Sequence, residues 1–218
     1  MGVYKIFPEK DASLYSQYPD QNTGLDQILE ASTYQSNGET HASRYLVKFS
    51  TNEIQEVYAN KITNNNFKVY FKNYAAVVTG LNLERTLELY PASGSWGMGT
   101  GRFNDDPNPE NGVSWDWRTY QGLNAWTTPG GDYHLTPTQT QTFTYADTKD
   151  VNVDVTETVD SWYANSLDSN NGIVNDGFIV KQPDASEFVN NVNNNAVFRF
   201  FSIDTHTIYP PYLEFKYD

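Results

Sequence analysis

The sequence predicts an all-β fold, an antiparallel β-sandwich carrying two short helices. Three observations carry that reading. Aromatic residues make up 15% of the 218, with 16 Tyr and 12 Phe against two Met, a bias toward side chains that suit a pleated, half-buried surface. Apolar and polar residues alternate through many short runs, which puts one side of each strand in a core. Clusters of Gly, Pro, Asn, Asp and Ser separate those runs.

The elements follow in order. Residues 3–7 and 12–18 are strand-like, and the turn-rich Tyr18-Pro19-Asp20-Gln21-Asn22-Thr23-Gly24 comes next. A further run over 27–34 leads to Asn37-Gly38, a strong hairpin signal because both residues tolerate positive φ. In Arg44-Tyr45-Leu46-Val47-Lys48-Phe49, residues Tyr45, Val47 and Phe49 share a face. Ser50 and Glu53 have capping-box spacing, and Ile54, Val57, Tyr58 and Ile62 then line one helical face. Phe67, Val69 and Phe71 alternate with Lys68, Tyr70 and Lys72; Leu83, Leu87 and Leu89 alternate with Glu84, Thr86 and Glu88. A second helix begins near Thr156, with Val155, Val159, Trp162 and Tyr163 on one face. Residues 177–181, 196–202 and 213–217 complete the strands, and the Asn-rich runs 64–66 and 193–195 read as tight, solvated loops.

Residues 92–141 break the pattern. They hold much of the Gly and Pro and four of the five Trp, with no long periodic element. No linker divides the chain, so residues 1–218 read as a single domain with one elaborated Trp-rich loop region. A stretch this long without regular structure is usually functional or an interface.

Composition narrows the function classes. The chain has no Cys, which excludes a disulfide framework and a thiolate metal site. A net charge of −13 argues against nucleic-acid binding, since the long-range field repels phosphates. No stretch approaches the roughly 18 consecutive apolar residues of a membrane span. A secretory leader is not evident at the start, and position 6 is Ile, which breaks the myristoylation pattern.

Tests for chemistry come out thin. There is no Gly-x-Ser-x-Gly elbow, and His41, His134 and His206 lie in apparent loops without zinc-ligand spacing. Asn104-Asp105-Asp106 and Asp168-Ser169-Asn170-Asn171-Gly172 offer clustered oxygens. The second opens like a calcium loop but lacks its Gly and Glu, so an Asx-rich turn is the plainer reading and a structural calcium is left open. With 27 acidic residues, no particular pair stands out for glycoside hydrolysis. The aromatics of the loop region admit two readings: a platform that stacks on sugar rings, or the filling of a loop-covered core or subunit interface. The residues singled out are Trp96, Trp115, Trp117 and Trp126, with Tyr120 and Tyr133.

Several segments together resemble a known family. Lys10-Asp11-Ala12-Ser13-Leu14-Tyr15-Ser16 followed by Pro19-Asp20-Gln21-Asn22-Thr23-Gly24 is similar to the opening strand and turn of DNRLRE-type (disaggregatase-related) β-sandwich domains. Arg44-Tyr45-Leu46-Val47-Lys48-Phe49 resembles that family's next long strand, and residues 83–90 its "L-x-L-Y" strand. Val153-Asp154-Val155-Thr156 with Val159 and Trp162 resembles the approach to its second helix. Asn175-Asp176-Gly177-Phe178-Ile179-Val180-Lys181, then Phe200-Phe201-Ser202 and Pro211-Tyr212-Leu213-Glu214-Phe215, resemble its closing strands. The resemblance implies a jelly-roll-like sandwich and leaves residues 92–141 unexplained.

A freestanding, leaderless, acidic domain of this kind is also similar to structural proteins of tailed bacteriophages. That resemblance implies a non-catalytic virion structural protein, a decoration, neck or tail-associated subunit, folded in the bacterial host cytoplasm and oligomeric in the virion. The expected partners are other virion proteins, with host surface glycans left open, and neither nucleic acid nor a membrane. No cofactor is expected. The alternative is a carbohydrate-binding module that uses the Trp-rich loops.

Overall fold

The computed structural model describes residues 2–191, 193 and 195–218. Asn194, part of an Asn-rich loop expected from sequence, lies outside the described residues. The molecule is a jelly-roll-like antiparallel sandwich. A four-stranded sheet has the order β1 (Gly2–Ile6), β13 (Tyr212–Tyr217), β6 (Phe67–Asn73), β10 (Val151–Asp154). Facing it is a larger sheet of β2 (Pro8–Tyr15), β5 (Glu39–Phe49), β11 (Phe178–Lys181), β8 (Arg85–Pro91) and β9 (Gln139–Phe143), with β4 (Thr33–Ser36) also paired to β5. A third, three-stranded sheet has the order β3 (Ile28–Glu30), β12 (Val197–Phe201), β7 (Ala75–Thr79). No two strands of the four-stranded sheet are consecutive in the chain, so the backbone crosses between layers at nearly every step.

Alternation explains the main core. Tyr45, Val47 and Phe49 of β5, Phe178 and Val180 of β11, and Leu87 and Leu89 of β8 face Val69 and Phe71 of β6 and Leu213 and Phe215 of β13. Phe198 and Phe200 of β12 close the flank, with ring centroids 5.2 Å from Phe143 and 5.9 Å from Tyr45 respectively.

The helices plug the same core. In α1 (Thr51–Asn60), Ser50 is the N-cap and its side chain accepts a hydrogen bond from the Glu53 amide, as its capping-box spacing predicts. Ile54 and Val57 are buried. In α2 (Thr156–Leu167), Val159 and Trp162 are buried, and Trp162 packs 4.6 Å from Phe178. Tyr58 and Tyr163 stack at 4.0 Å where the two helices meet. A third helix, α3 (Asp184–Glu187), is a single turn that sequence periodicity is too short to reveal.

Two turns show what backbone geometry demands. Asn37 (φ 54°) and Gly38 (φ 84°) form the hairpin between β4 and β5, and a Cβ at Gly38 would meet nothing. Gly177 also has positive φ (90°), but a Cβ there would lie 2.3 Å from the Val47 carbonyl oxygen.

Three expectations need correction. Residues 27–34 do not form one strand. At Ala31-Ser32 the chain leaves β3 for β4 in another sheet, and the Ser32 hydroxyl accepts the Phe198 amide at the break. Leu83 is not a core residue: it lies in a turn and is exposed, while Arg85, two residues on, takes the inward register and Leu81 reaches the core instead. The strand over 12–18 runs from Pro8 and stops at Tyr15.

Candidate functional site

Residues 92–141 are largely irregular but fold as a layer. Only at Gln139 does regular structure resume, with β9. The outer face of the large sheet presents Ala12, Leu14, Ala42, Leu46 and Ile179, and Trp96, Val113, Trp115 and Trp126 pack against them as a second core. Two of the indole N–H groups are satisfied inside it: Trp96 Nε1 donates to the Asp176 carbonyl at 2.8 Å and Trp126 Nε1 to the Ser114 carbonyl at 3.0 Å. The Lys10 ammonium lies 4.3 Å from the Trp96 ring centroid and donates to the Trp96 carbonyl. Burial lowers the Lys10 pKa, and neighbouring Lys48 lowers it further.

Asn22 stitches this layer to the sandwich. Its Nδ2 donates to the Met98 carbonyl at 2.8 Å and the Val113 carbonyl at 2.7 Å, and its Oδ1 accepts from the Gly101 amide at 2.7 Å. A buried side chain that satisfies three distant backbone groups fixes loop geometry that no ladder supports.

The six residues, read as a sugar platform or as the filling of a loop-covered core or interface, therefore divide. Trp96, Trp115 and Trp126 are 2%, 6% and 4% exposed and offer no ring face to a ligand. The physical reason is the apolar outer face of the large sheet, which needs covering. Trp117 is half-buried, its Nε1 donating to Asp20 Oδ1 at 2.6 Å. Tyr120 is exposed and its hydroxyl donates to Glu110 at 3.2 Å. Tyr133 is half-buried, its ring 4.5 Å from that of Tyr90.

Beneath this layer sits an ionic cluster. Arg44 makes a two-pronged contact with Glu187, Nε to Oε1 at 3.0 Å and Nη2 to Oε2 at 2.6 Å, and its guanidinium lies 5.0 Å from the Trp115 ring. Lys181, fully buried, is surrounded by Asp184 at 2.5 Å, Glu187 at 3.5 Å and Glu88 at 3.9 Å. The Lys181 hydrogen bond holds the Asp184 pKa below the usual carboxylate range. These pairs cross-link β5, β8, β11 and α3; Arg44, Lys181 and Glu187 are buried, while Asp184 lies at the surface.

Two features do reach the surface. The first is a groove of about 520 Å³ over the outer face of the three-stranded sheet. Its wall holds Phe103, whose ring centroid is 4.7 Å from Tyr15 at 61° and 5.3 Å from Tyr18 at 88°. Across β3 and β12, Glu30 pairs with Arg199, Nε to Oε2 at 2.6 Å. Tyr34 also lines it, its hydroxyl donating to Gln17 Oε1 at 2.6 Å. Burial, with Glu30 nearby, pushes the Tyr34 pKa up to about 12. The Asp26 pKa is raised, first by burial, although its Oδ1 accepts the Phe103 amide at 3.2 Å.

The second is a run of rings at one end of the sandwich: Phe7, Tyr212, Tyr74, Tyr209 and Phe201, with successive centroids 6.1, 6.1, 4.9 and 6.1 Å apart. Phe7 is 50% exposed, Tyr209 43% and the adjoining Ile208 85%. The Lys5 ammonium sits 4.1 Å from the Tyr212 ring. Neither feature was visible as a motif, because each draws on three or more separate segments.

Among the described residues, no three His, Asp or Glu stand together as metal ligands. In the calcium-like loop, Asp168 Oδ1 accepts from the amide of Asn170 at 3.0 Å, and in the other acidic loop Asp105 Oδ2 accepts from the Arg102 amide at 2.7 Å. Both oxygens cap their own turns. No protein-family model matches the chain, and no curated protein matches it.

Proposed function

We propose that the chain is a non-catalytic structural subunit of a tailed-bacteriophage virion, built on a DNRLRE-type sandwich and docked to other virion proteins. The observation that supports this reading best is the run of rings from Phe7 to Phe201. Exposed apolar side chains such as Phe7, Ile208 and Tyr209, backed by the part-buried Tyr74 and Phe201 and the buried Tyr212, are a usual mark of a protein interface. The patch draws Phe7 from between β1 and β2, Tyr74 from the residue after β6, Phe201 from the end of β12, Tyr212 from the start of β13, and Ile208 and Tyr209 from the connection between those two strands. The alternative, a carbohydrate-binding module with a Trp platform, has less support because three of the four indoles are inside.

Mass spectrometry of purified particles tests the proposal, with detection of this chain at a fixed ratio to the other virion proteins as the expected result. Ile208→Asp and Tyr209→Ala should lower its incorporation while leaving the isolated subunit folded. Purified particles free of the chain would overturn the reading.

A further inference from the structure

The groove over the three-stranded sheet has a shape that the interface reading does not use. Its rings are not coplanar. Phe103 meets Tyr15 and Tyr18 edge-on, and the angles of 61° and 88° make a corner rather than a platform. Tyr34 lines the groove from β4. A flat sugar ring stacks on a single exposed face. A compact, rounded group instead touches several rings at once when they stand at right angles.

The charge of the lining selects among rounded groups. Aromatic faces carry negative potential and attract cations. Glu30 and Arg199 neutralise one another across the strand pair. Asp26 is held against the ring wall by the Phe103 amide, so a carboxylate and an aromatic face are fixed side by side. Around it, Arg102 and Asp105 carry opposite charges. The chain as a whole carries −13, which draws cations toward any such site. The volume of about 520 Å³ falls in the range of small-molecule sites.

We propose that this groove binds an alkylammonium group, with Tyr18 and Phe103 supplying ring faces, Tyr15 backing Phe103 from the interior and Asp26 the counter-charge. Two sources share that chemistry: the trimethylammonium of a choline-type head group and the ammonium of a lysine side chain. The site is separate from the aromatic patch, and its occupancy does not depend on the virion reading.

Calorimetric titration of the full chain with choline chloride, Nα-acetyl-lysine amide and maltose, at low and matched salt, tests it. The expected result is saturable binding of one or both ammonium compounds, with a Kd on the order of 1 mM. Tyr18→Ala and Asp26→Asn should each weaken it about tenfold. Tyr18 is already part-exposed, and Tyr18→Leu, which keeps apolar bulk but removes the ring, covers the case in which the alanine variant loses its near-ultraviolet dichroism. Binding of choline alone assigns the source to a head group, and binding of the lysine compound alone to a partner's side chain. The proposal is overturned if neither binds, if folded variants bind as tightly as the parent, or if maltose binds better than both.

Discussion

Asp11 is a carboxyl placed where water does not reach. It lies on β2, 1% exposed, with Oδ2 accepting the Ile203 amide at 2.7 Å. Burial pushes its pKa up to about 8; the Ile203 bond opposes that shift and nearby Asp204 adds to it. The sign of the consequence follows from linkage. An unfolded Asp releases its proton near pH 4, whereas the folded one holds it to about 8. The stability that Asp11 supports is therefore fully present below about pH 4 and declines as pH rises to about 8. Denaturant unfolding at pH 5, 7 and 9 should show this decline in the parent and a flatter profile in Asp11→Asn. Equal slopes for the two proteins would refute the assignment. Nothing in the sequence marks Asp11 as buried, because residues 11–15 of β2 are covered on both faces and polar and apolar side chains there are buried alike. The Trp residues leave two readings open in the sequence for a related reason. Their number signals importance, but a sheet with two apolar faces needs a cover, and that need appears only once both faces of β5 and β11 are known.

The elements differ in how plainly the chain announces them. β6, β8 and β13 alternate cleanly because one face meets the core and the other water. The capped start of α1 was equally readable, since Ser50 and Glu53 act locally. β7 and β9 are hard to read, since Ala75-Ala76-Val77-Val78-Thr79 and Gln139-Thr140-Gln141-Thr142-Phe143 carry little contrast between faces, and β10 alternates but is only four residues long. Leu83 shows the opposite error, an alternation that runs on through a turn. Turn geometry yields a sharper test. Gly38→Ala should cost about 1 kcal/mol, the price of positive φ with free space around the new methyl. Gly177→Ala meets the same φ and a carbonyl of β5 in the way, and should cost about 3 kcal/mol or more. Thermal and denaturant unfolding of the two variants compares them directly, and similar losses would show that the close approach to Val47 relaxes easily.

At the scale of the whole molecule, the large sheet is a shared wall between two cores. The sandwich core on its inner side is built from ladders. The Trp layer on its outer side has almost none, and depends on single side chains such as Asn22. Asn22→Ala would leave the Met98 and Val113 carbonyls and the Gly101 amide without their partner. Each such loss in a buried setting costs about 1–3 kcal/mol. We expect limited proteolysis to cut within residues 92–141 of that variant while the sandwich strands stay protected by hydrogen exchange. Protection unchanged in the layer would show that Asn22 is dispensable there. This division also explains what the sequence could and could not convey. Local periodicity identifies an antiparallel sandwich, but the groove and the aromatic patch come from segments such as Tyr15, Phe103 and Arg199, which are adjacent only after the layers have closed.

The place of β13 has a consequence for the order of assembly. It pairs with β1 on one side and β6 on the other, so residues 212–217 fill the middle of the four-stranded sheet rather than its edge. During synthesis β1 has no neighbour in its own sheet until that segment leaves the ribosome, and the inner face of the larger sheet is covered only in part, by β6 and β10. Pairings this distant along the chain form slowly, and exposed strand edges are prone to mispairing meanwhile. A nascent chain stalled before residue 212 should therefore rely on chaperones, and emergence of β13 should be the step that completes the four-stranded sheet.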